Sequence, residues 1–415
     1  MDDGSDSHVG GGEPSDVIDI AGYPEVSQWD SLLTLIVEMG QHNVGGLRVA
    51  VQYETVTQAE ASKAAWQFFQ QMLADITKIV TEDAQSAREL LEGLRVIARI
   101  SSLCSQMSVE SDLGRPVFFD MCSDNRMIGG PNPDGNYFLA MIRGDRRYRI
   151  TGTRGTSAYL GFQILAGTGL TPRRMSNYVS DVDLALSGDQ FALVLSAQEP
   201  QEPADLRGAQ WVQIPDDASS VVVREYIGDR AAEELATLRI EALDPDPVAP
   251  LTDDDLAEQF TAMAWSLMKL ATLHRTIKPE LLDRPNELLT AEAADLGAAD
   301  TTPDNLYMMG TFRLEPGQAL VLDIEPPNTR YWNVTLENIW HECLEPRRRH
   351  SSVTNRGVRP DADGRVRIAI SAEDLGFGHW LDTGGRHRGF VVLRWLDNPD
   401  PPDVTVSVRQ REAQP

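Results

Sequence analysis

The chain reads as mainly β with α: two duplicated jelly-roll-like β-sandwich domains, an N-terminal helical hairpin and a connecting helix. Three observations predict this. First, short runs rich in Val, Ile, Tyr and Phe, separated by Gly, Pro, Asn and Asp, begin near Pro116, as repeated short strands of a sandwich or barrel do. Second, four blocks recur in the same order: Pro133-Asp134-x-x-Tyr137 returns 170 residues later as Pro303-Asp304-x-x-Tyr307, Tyr159 as Tyr331, FALVLSAQE as VRIAISAED, and Arg224 as Arg394. Third, WLDTGGRHRGFVVLRW, from Trp380 to Trp395, has an abbreviated echo in QWVQIPDDASSVVVREY, where Trp211 leads to Val221-Val222-Val223-Arg224.

Taken in order, residues 1–24 are acidic and Gly-rich and are expected to be a disordered tail. Residues 25–115 are expected to be a helical region. Thr57 can cap a first helix loaded with Trp66, Phe68, Phe69 and Met72. Thr81, followed by Glu82 and Asp83, can cap a second, whose apolar stripe would be Leu90, Leu94, Ile97 and Ile100. Neither helix could bury its stripe alone, so a hairpin packed on the remainder is expected. Residues 116–250 form the first β domain, with strands YRITG, AYLGFQIL, FALVLSA, SVVVREYI and TLRIEAL. Residues 251–302 are a helical connection in which Thr252 caps a helix opened by Asp253, Asp254 and Asp255, with Leu256, Phe260, Met263, Leu267 and Leu270 as its buried stripe. Residues 303–415 form the second β domain. Twin domains of this kind pack side by side and leave a cleft.

Composition narrows the function classes. A net charge of −26 argues against nucleic acid and anionic membrane surfaces, because phosphates would be repelled. No apolar run approaches the roughly 18 residues of a membrane span. The N-terminus lacks the basic and apolar regions of a secretory signal. Three widely spaced cysteines, Cys104, Cys122 and Cys343, suit a reducing compartment, so a cytoplasmic protein is expected. Neither a cofactor nor an oligomeric state is specified, and a homo-oligomer is compatible with the pattern.

The runs NPDGNY, YRITGTRGTSAYLGF, WVQIPDDASSVVVREY, YWNVTLENIW and GHWLDTGGRHRGFVVLRW resemble the bacterial family called domain of unknown function 1214, over most of residues 120–400. The likeness is greatest in the C-terminal third, where that family shows an N-W-L element, a Gly-containing turn and a strand ending in Arg-aromatic. Here His379 stands before Trp380 in place of the Asn. The resemblance implies a β-sandwich and brings no established reaction.

Several constellations bear on chemistry. Arg224 and Arg394 end Val-rich strands on a partly buried face, where a guanidinium needs a carboxylate or several carbonyls. The structural reading clasps each to Asp134 or Asp304; the functional one makes each a fork for a carboxylate or phosphate. His341, His350, His379 and His387 all fall in the second β domain, which admits a cupin-like metal site, but the H-x-H…E spacing is missing and no metal ligands are assigned. Trp340-His341-Glu342-Cys343 follows Asn338; a continued strand would put His341 and Cys343 on one face, and neighbours two apart rarely form a nucleophile–base pair. Arg347-Arg348-Arg349-His350 reads as a solvated loop. Aromatics and amides gather near the repeat boundaries, where they either plug the sandwich ends or hold an amphipathic small molecule.

The expected function is therefore binding of a small amphipathic or anionic metabolite in a cleft at the β domains, with or without catalysis; the alternative is a non-catalytic ligand- or partner-binding twin sandwich. The candidate catalytic residues are His341, as general base, and Asp382. The candidate ligand-binding residues are Asn136, Tyr137, Arg224, Asn338, Trp340, Trp380, Thr383, His387 and Arg394. Asp382, Thr383 and His387 have no counterpart in the first copy, so a function specific to the second half is expected there.

Overall fold

The computed structural model describes residues 59–168, 171–201, 206–244, 250–292 and 301–411. The expected tail at 1–24, the capping residue Thr57 and residues 293–300 of the expected helical connection lie outside the described residues.

Among the described residues, three long helices form one group. Helix α1 (Glu60–Asp83) has Ala59 at its N-cap, which offers no side-chain acceptor. The need is met from elsewhere: Asp253 accepts from the amides of Ala61 and Ser62 at 3.0 and 2.9 Å. Helix α2 (Ala87–Met107) is capped by Ser86, which accepts from the Glu89 amide, while the Glu89 carboxylate accepts from the Gln85 amide. Thr81 is not the cap. It lies inside α1, its hydroxyl donating back to Thr77. Helix α3 (Asp253–Ala271) starts at the expected Thr252, which forms a reciprocal capping box with Asp255.

Apolar faces from all three helices share one core around Phe69, Ile76, Val96, Ile100, Leu103, Met263 and Leu267. Trp66 meets Phe260 at 5.0 Å and Phe68 meets Trp265 at 5.4 Å, so α1 packs along the connecting helix. Of the expected stripe of α2, Ile97 and Ile100 are buried and Leu90 is half-buried, but Leu94 is exposed, and Glu92, Gly93 and Val96 complete the hidden face. Counting apolar residues could not show this, because a buried carboxylate and a glycine define the hidden face.

The remainder is two β-sandwiches. The first contains β1 (Phe119–Asp120), β2 (Gly135–Met141), β3 (Tyr148–Thr153), β4 (Tyr159–Ala166), β5 (Arg174–Ser180), β6 (Gln190–Ser196), β7 (Gln210–Gln213), β8 (Ala218–Tyr226) and β9 (Thr237–Ala242). A 3-10 turn and the short α4 (Pro279–Leu282) follow α3. The second sandwich contains β10 (Leu289–Ala291), β11 (Asn305–Arg313), β12 (Gln318–Ile324), β13 (Trp332–Glu337), β14 (Ser352–Thr354), β15 (Val366–Ser371), β16 (His379–Asp382), β17 (Arg388–Leu396) and β18 (Val404–Gln410).

The sheet orders are β1-β2-β8-β4-β5 with β7-β6-β3-β9, and β10-β11-β17-β13-β14 with β16-β15-β12-β18. Each strand of the second pair is the counterpart nine places later of one in the first. Register agrees too: Tyr137 faces Arg224 and Arg224 faces Gly161, as Tyr307 faces Arg394 and Arg394 faces Asn333. The β6–β7 and β15–β16 pairs are parallel, the departure from an all-antiparallel jelly roll.

Each sandwich closes over its own core, with Ile150, Phe162, Leu193, Val221 and Val223 in the first and Leu322, Val334, Ile368, Val391 and Leu393 in the second. The other face of each five-stranded sheet is also buried, against helices and the neighbouring sandwich. Hence β4, β8 and β17 are buried along nearly their whole length and do not alternate between core and solvent. Where the sandwiches meet, Tyr226 stacks on Tyr331 at 5.4 Å, and Asn132 donates to the Tyr331 hydroxyl at 2.9 Å and accepts from Asn333 at 2.7 Å.

Candidate functional site

Alternation along a strand decides what the second buried face carries. In β8, Ser220, Val222, Arg224 and Tyr226 point away from the sandwich core; in β17, Phe390, Val392 and Arg394 do. Between these faces and α3 lies a cavity of about 520 Å³. Arg224, Arg394, Tyr137, Tyr226, Tyr307, Glu337 and His341 line it together with apolar side chains, among them Met107, Met121, Met141, Trp265, Met268 and Met309.

The arginines sit in equivalent settings. Arg224 lies 5.6 Å from the centre of the Tyr137 ring and Arg394 lies 6.0 Å from that of Tyr307. The Tyr137 hydroxyl accepts from the Asn132 amide, and the Tyr307 hydroxyl accepts from the Thr302 amide, 170 residues on. Arg224 donates to Gln163; Arg394 donates to Thr335, which occupies the matching place on β13. Arg394 also donates to the Gly130 carbonyl at 2.7 Å.

The expected clasps to the repeated aspartates are not what holds these groups. Asp304 accepts from the Tyr178 hydroxyl, and Asp134 is half-buried, its carboxyl pushed up by desolvation. Asp134 and Asp304 precede Tyr137 and Tyr307 by three residues, roughly 10 Å along an extended chain, whereas the arginines face the tyrosines. Burial opposes the charge of Arg394. Tyr137, Glu337 and Tyr307 outweigh it and hold the guanidinium above its ordinary value, so the group is cationic.

The symmetry breaks at one corner. By register, Glu337 of β13 takes the place that Leu165 holds in β4. Its Oε2 lies 2.8 Å from Nδ1 of His341, and both side chains are almost fully buried. The Glu337 Oε1 is 3.7 Å from Arg394. The His341 ring stacks on Phe390 at 4.2 Å and 23°. His341 Nε2 is buried without a hydrogen-bond partner. The hydrogen bond places a proton on Nδ1, so in the neutral ring Nε2 carries the lone pair.

The expectation of a strand running through His341 and Cys343 does not hold. β13 ends at Glu337, and the chain turns with Trp340 and Glu342 accepted by the Asn338 side chain and His341 at φ +58°. Cys343 donates to the Pro131 carbonyl, and burial raises its thiol pKa well above the ordinary value, which removes it as a nucleophile.

Of the sequence candidates, Tyr137, Arg224, His341 and Arg394 line the cavity together, and the others do not. Asn338 donates to Glu92 and Glu342, and the Trp340 indole donates to the Glu89 carbonyl, so both fasten α2. Asp382 accepts from Arg349 and from the Gly384 amide. The carboxylate beside His341 is Glu337. Trp380 donates to the Ser371 carbonyl, much as Trp211 donates to Ser196 in the first sandwich. Thr383 is fully buried, its amide on Ser371; His387 meets the Leu314 carbonyl; Asn136 donates to Glu225. Of the Arg347–Arg349 run, Arg347 pairs with Asp124 and Arg349 with Glu345. Among the described residues no group of His, Cys, Asp and Glu is placed to hold a metal ion.

Glu337 was missed because a lone Glu in an apolar strand carries no motif. The signal that finds it is the repeat itself: aligned on Tyr159 and Tyr331, Glu337 falls opposite Leu165.

Comparison with known proteins agrees with the architecture. Residues 311–400 match the family model described as protein of unknown function, DUF1214, within the second sandwich. A crystal structure of an uncharacterised protein from Burkholderia cenocepacia superposes with a TM-score of 0.77 at 28% identity, covering 84% of this chain and 97% of that one. A crystal structure of a protein from Vibrio parahaemolyticus gives 0.44 at 11% identity, covering 84% and 100%. No curated protein matches the chain.

Proposed function

We propose that this protein binds a small molecule with an apolar body and an anionic end in the cavity between its two sandwiches. The observation that carries the reading is the pair of equivalent arginines, Arg224 and Arg394, buried in one cavity among methionines and tyrosines. Burying a guanidinium costs several kcal/mol unless partners satisfy it. Arg394 makes two hydrogen bonds with the protein, to Gly130 and Thr335, of the five its fork can donate. A carboxylate or phosphate suits the rest. About 520 Å³ lies within the range of small-molecule sites, roughly 300–1,000 Å³.

The two matching strand orders support reading residues 116–250 and 303–415 as domains from an internal duplication, with the end of α2 at Met107 and the length of α3 from Ala262 to Leu270 lining the cavity. Cys104, Cys122 and Cys343 are free and buried, in keeping with a cytoplasmic setting. Among the described residues no helix is long and apolar enough to cross a membrane.

Thermal unfolding of the full chain with octanoate, benzoate, octan-1-ol and octylamine tests the reading. The carboxylates are expected to raise the Tm of the wild type, the alcohol less and the amine not at all, because a ligand specific for the native state stabilises it. Arg394→Met should abolish the carboxylate shift and leave a folded protein. Equal shifts from acid and amine would overturn the assignment.

A further inference from the structure

We propose that His341, oriented by Glu337, is a general base that takes a proton from the molecule bound beside Arg394. The inference rests on the ligand reading above and adds a reaction class to it: proton abstraction next to a group whose developing negative charge Arg394 holds.

Four observations converge. The Glu337 carboxylate sits 2.8 Å from Nδ1, which sets the tautomer and would stabilise the imidazolium once formed. Nε2 is left buried without a hydrogen-bond partner on a residue that lines the cavity. A buried, unpaired acceptor is costly, and a proton donor on a ligand is the partner it lacks. His341 adopts φ +58°, a conformation that favours glycine, held by its amide on the Asn338 carbonyl and its carbonyl on the Gly130 amide. A turn that would be relaxed with glycine carries an imidazole, and strain of this kind gathers at functional sites. Finally, the pair exists in one half. The first sandwich keeps the arginine and tyrosine and has Leu165 where the second has Glu337. A purely structural cavity wall would have no need of the difference.

The step balances with no added reagent. A C–H bond next to a carbonyl breaks, its proton passes to Nε2, and its electron pair moves onto the carbonyl oxygen as an enolate beside the Arg394 guanidinium. Return of the proton from the imidazolium to the same or a neighbouring carbon gives exchange or isomerisation. In this scheme His341 touches the substrate and is catalytic, whereas Glu337 is a positioning residue.

Two measurements test it on the full chain. Imidazole nitrogen NMR at pH 8 should show His341 as the Nδ1–H tautomer, with Glu337→Gln altering that signature; an Nε2–H tautomer in the wild type overturns the inference. The second uses 5-nitrobenzisoxazole, whose ring proton passes to a base as the N–O bond breaks and a cyanophenolate forms. Wild type should convert it at least 100-fold faster than His341→Ala, and Glu337→Gln should fall at least tenfold with binding retained. A probe that binds, by tryptophan quenching, and turns over no faster than in His341→Ala sinks the inference and leaves the ligand reading standing. Failure of both the probe and the carboxylates to bind removes the two together.

Discussion

Arg394 and Gly93 show how single positions do different work. A lysine at 394 would keep the charge but offer a point donor where the fork reaches Gly130 and Thr335 and keeps further N–H groups for the proposed ligand. We expect Arg394→Lys to weaken octanoate binding at least tenfold by calorimetry, with the Tm of the unliganded protein shifted far less than by Arg394→Met. Gly93 lies where α2 crosses α1 and Trp340. A Cβ there would sit 2.3 Å from Val80 Cγ1 and 3.0 Å from the Trp340 ring. Alanine ordinarily favours a helix by about 1 kcal/mol over glycine. Overpacking against a β-branched valine and a buried indole costs about 1–3 kcal/mol. The second effect should win, and urea unfolding of Gly93→Ala should show a net loss of about 1–2 kcal/mol. A stabilised variant would mean that α2 can slide.

At the scale of elements, α2 meets the second sandwich through ion pairs around the Trp340 contact. The turn of WLDTGGRHRGFVVLRW sends Arg386 to Glu92 and Arg388 to Glu89, while Arg95 and Arg99 reach the buried Glu342. The Glu92 and Arg386 side chains are only 8% and 10% exposed, so removing one partner strands a charge. Glu92→Gln should destabilise by about 3–5 kcal/mol, and adding Arg386→Met should recover part of the loss. Burial pushes the Glu89 carboxyl up, but the paired hydrogen bonds from Arg388 outweigh it and hold the group below its ordinary range. A carboxyl lowered on folding contributes stability above its unfolded value of about 4.3, and that contribution is lost as pH falls through the folded value. The stability gap between wild type and Glu89→Gln should therefore narrow between pH 7 and pH 3 in urea titrations. A gap independent of pH would show that Arg388 acts through packing alone.

Across the whole molecule, the described helices and both sandwiches share buried surfaces: Asn132 bridges to Tyr331 and Asn333, and Tyr226 meets Thr302 and Asn305. Residues 58–415 form one compact unit. We expect one calorimetric transition for that unit, with Asn132→Ala lowering its midpoint by the loss of about 1–3 kcal/mol of buried hydrogen bonding. Two resolved transitions, of which Asn132→Ala moved neither, would show that the sandwiches unfold independently.

The sequence by itself determined what depends on near neighbours and on repetition. Strand AYLGFQIL, the Thr252 cap and the recurrence of Arg224 as Arg394 are legible because period, turn chemistry and offset are local or self-referential. From the recurrence came four of the residues now found around one cavity. Tertiary structure alone decided which charge meets which. Glu92 and Arg386 are 294 residues apart, and nothing near either names the other. For the same reason the two candidate catalytic residues, His341 and Asp382, do not meet: Asp382 serves Arg349, and it is Glu337 that holds the imidazole. A side chain's direction follows from its strand, but its partner is set by the surface that the rest of the chain brings against it.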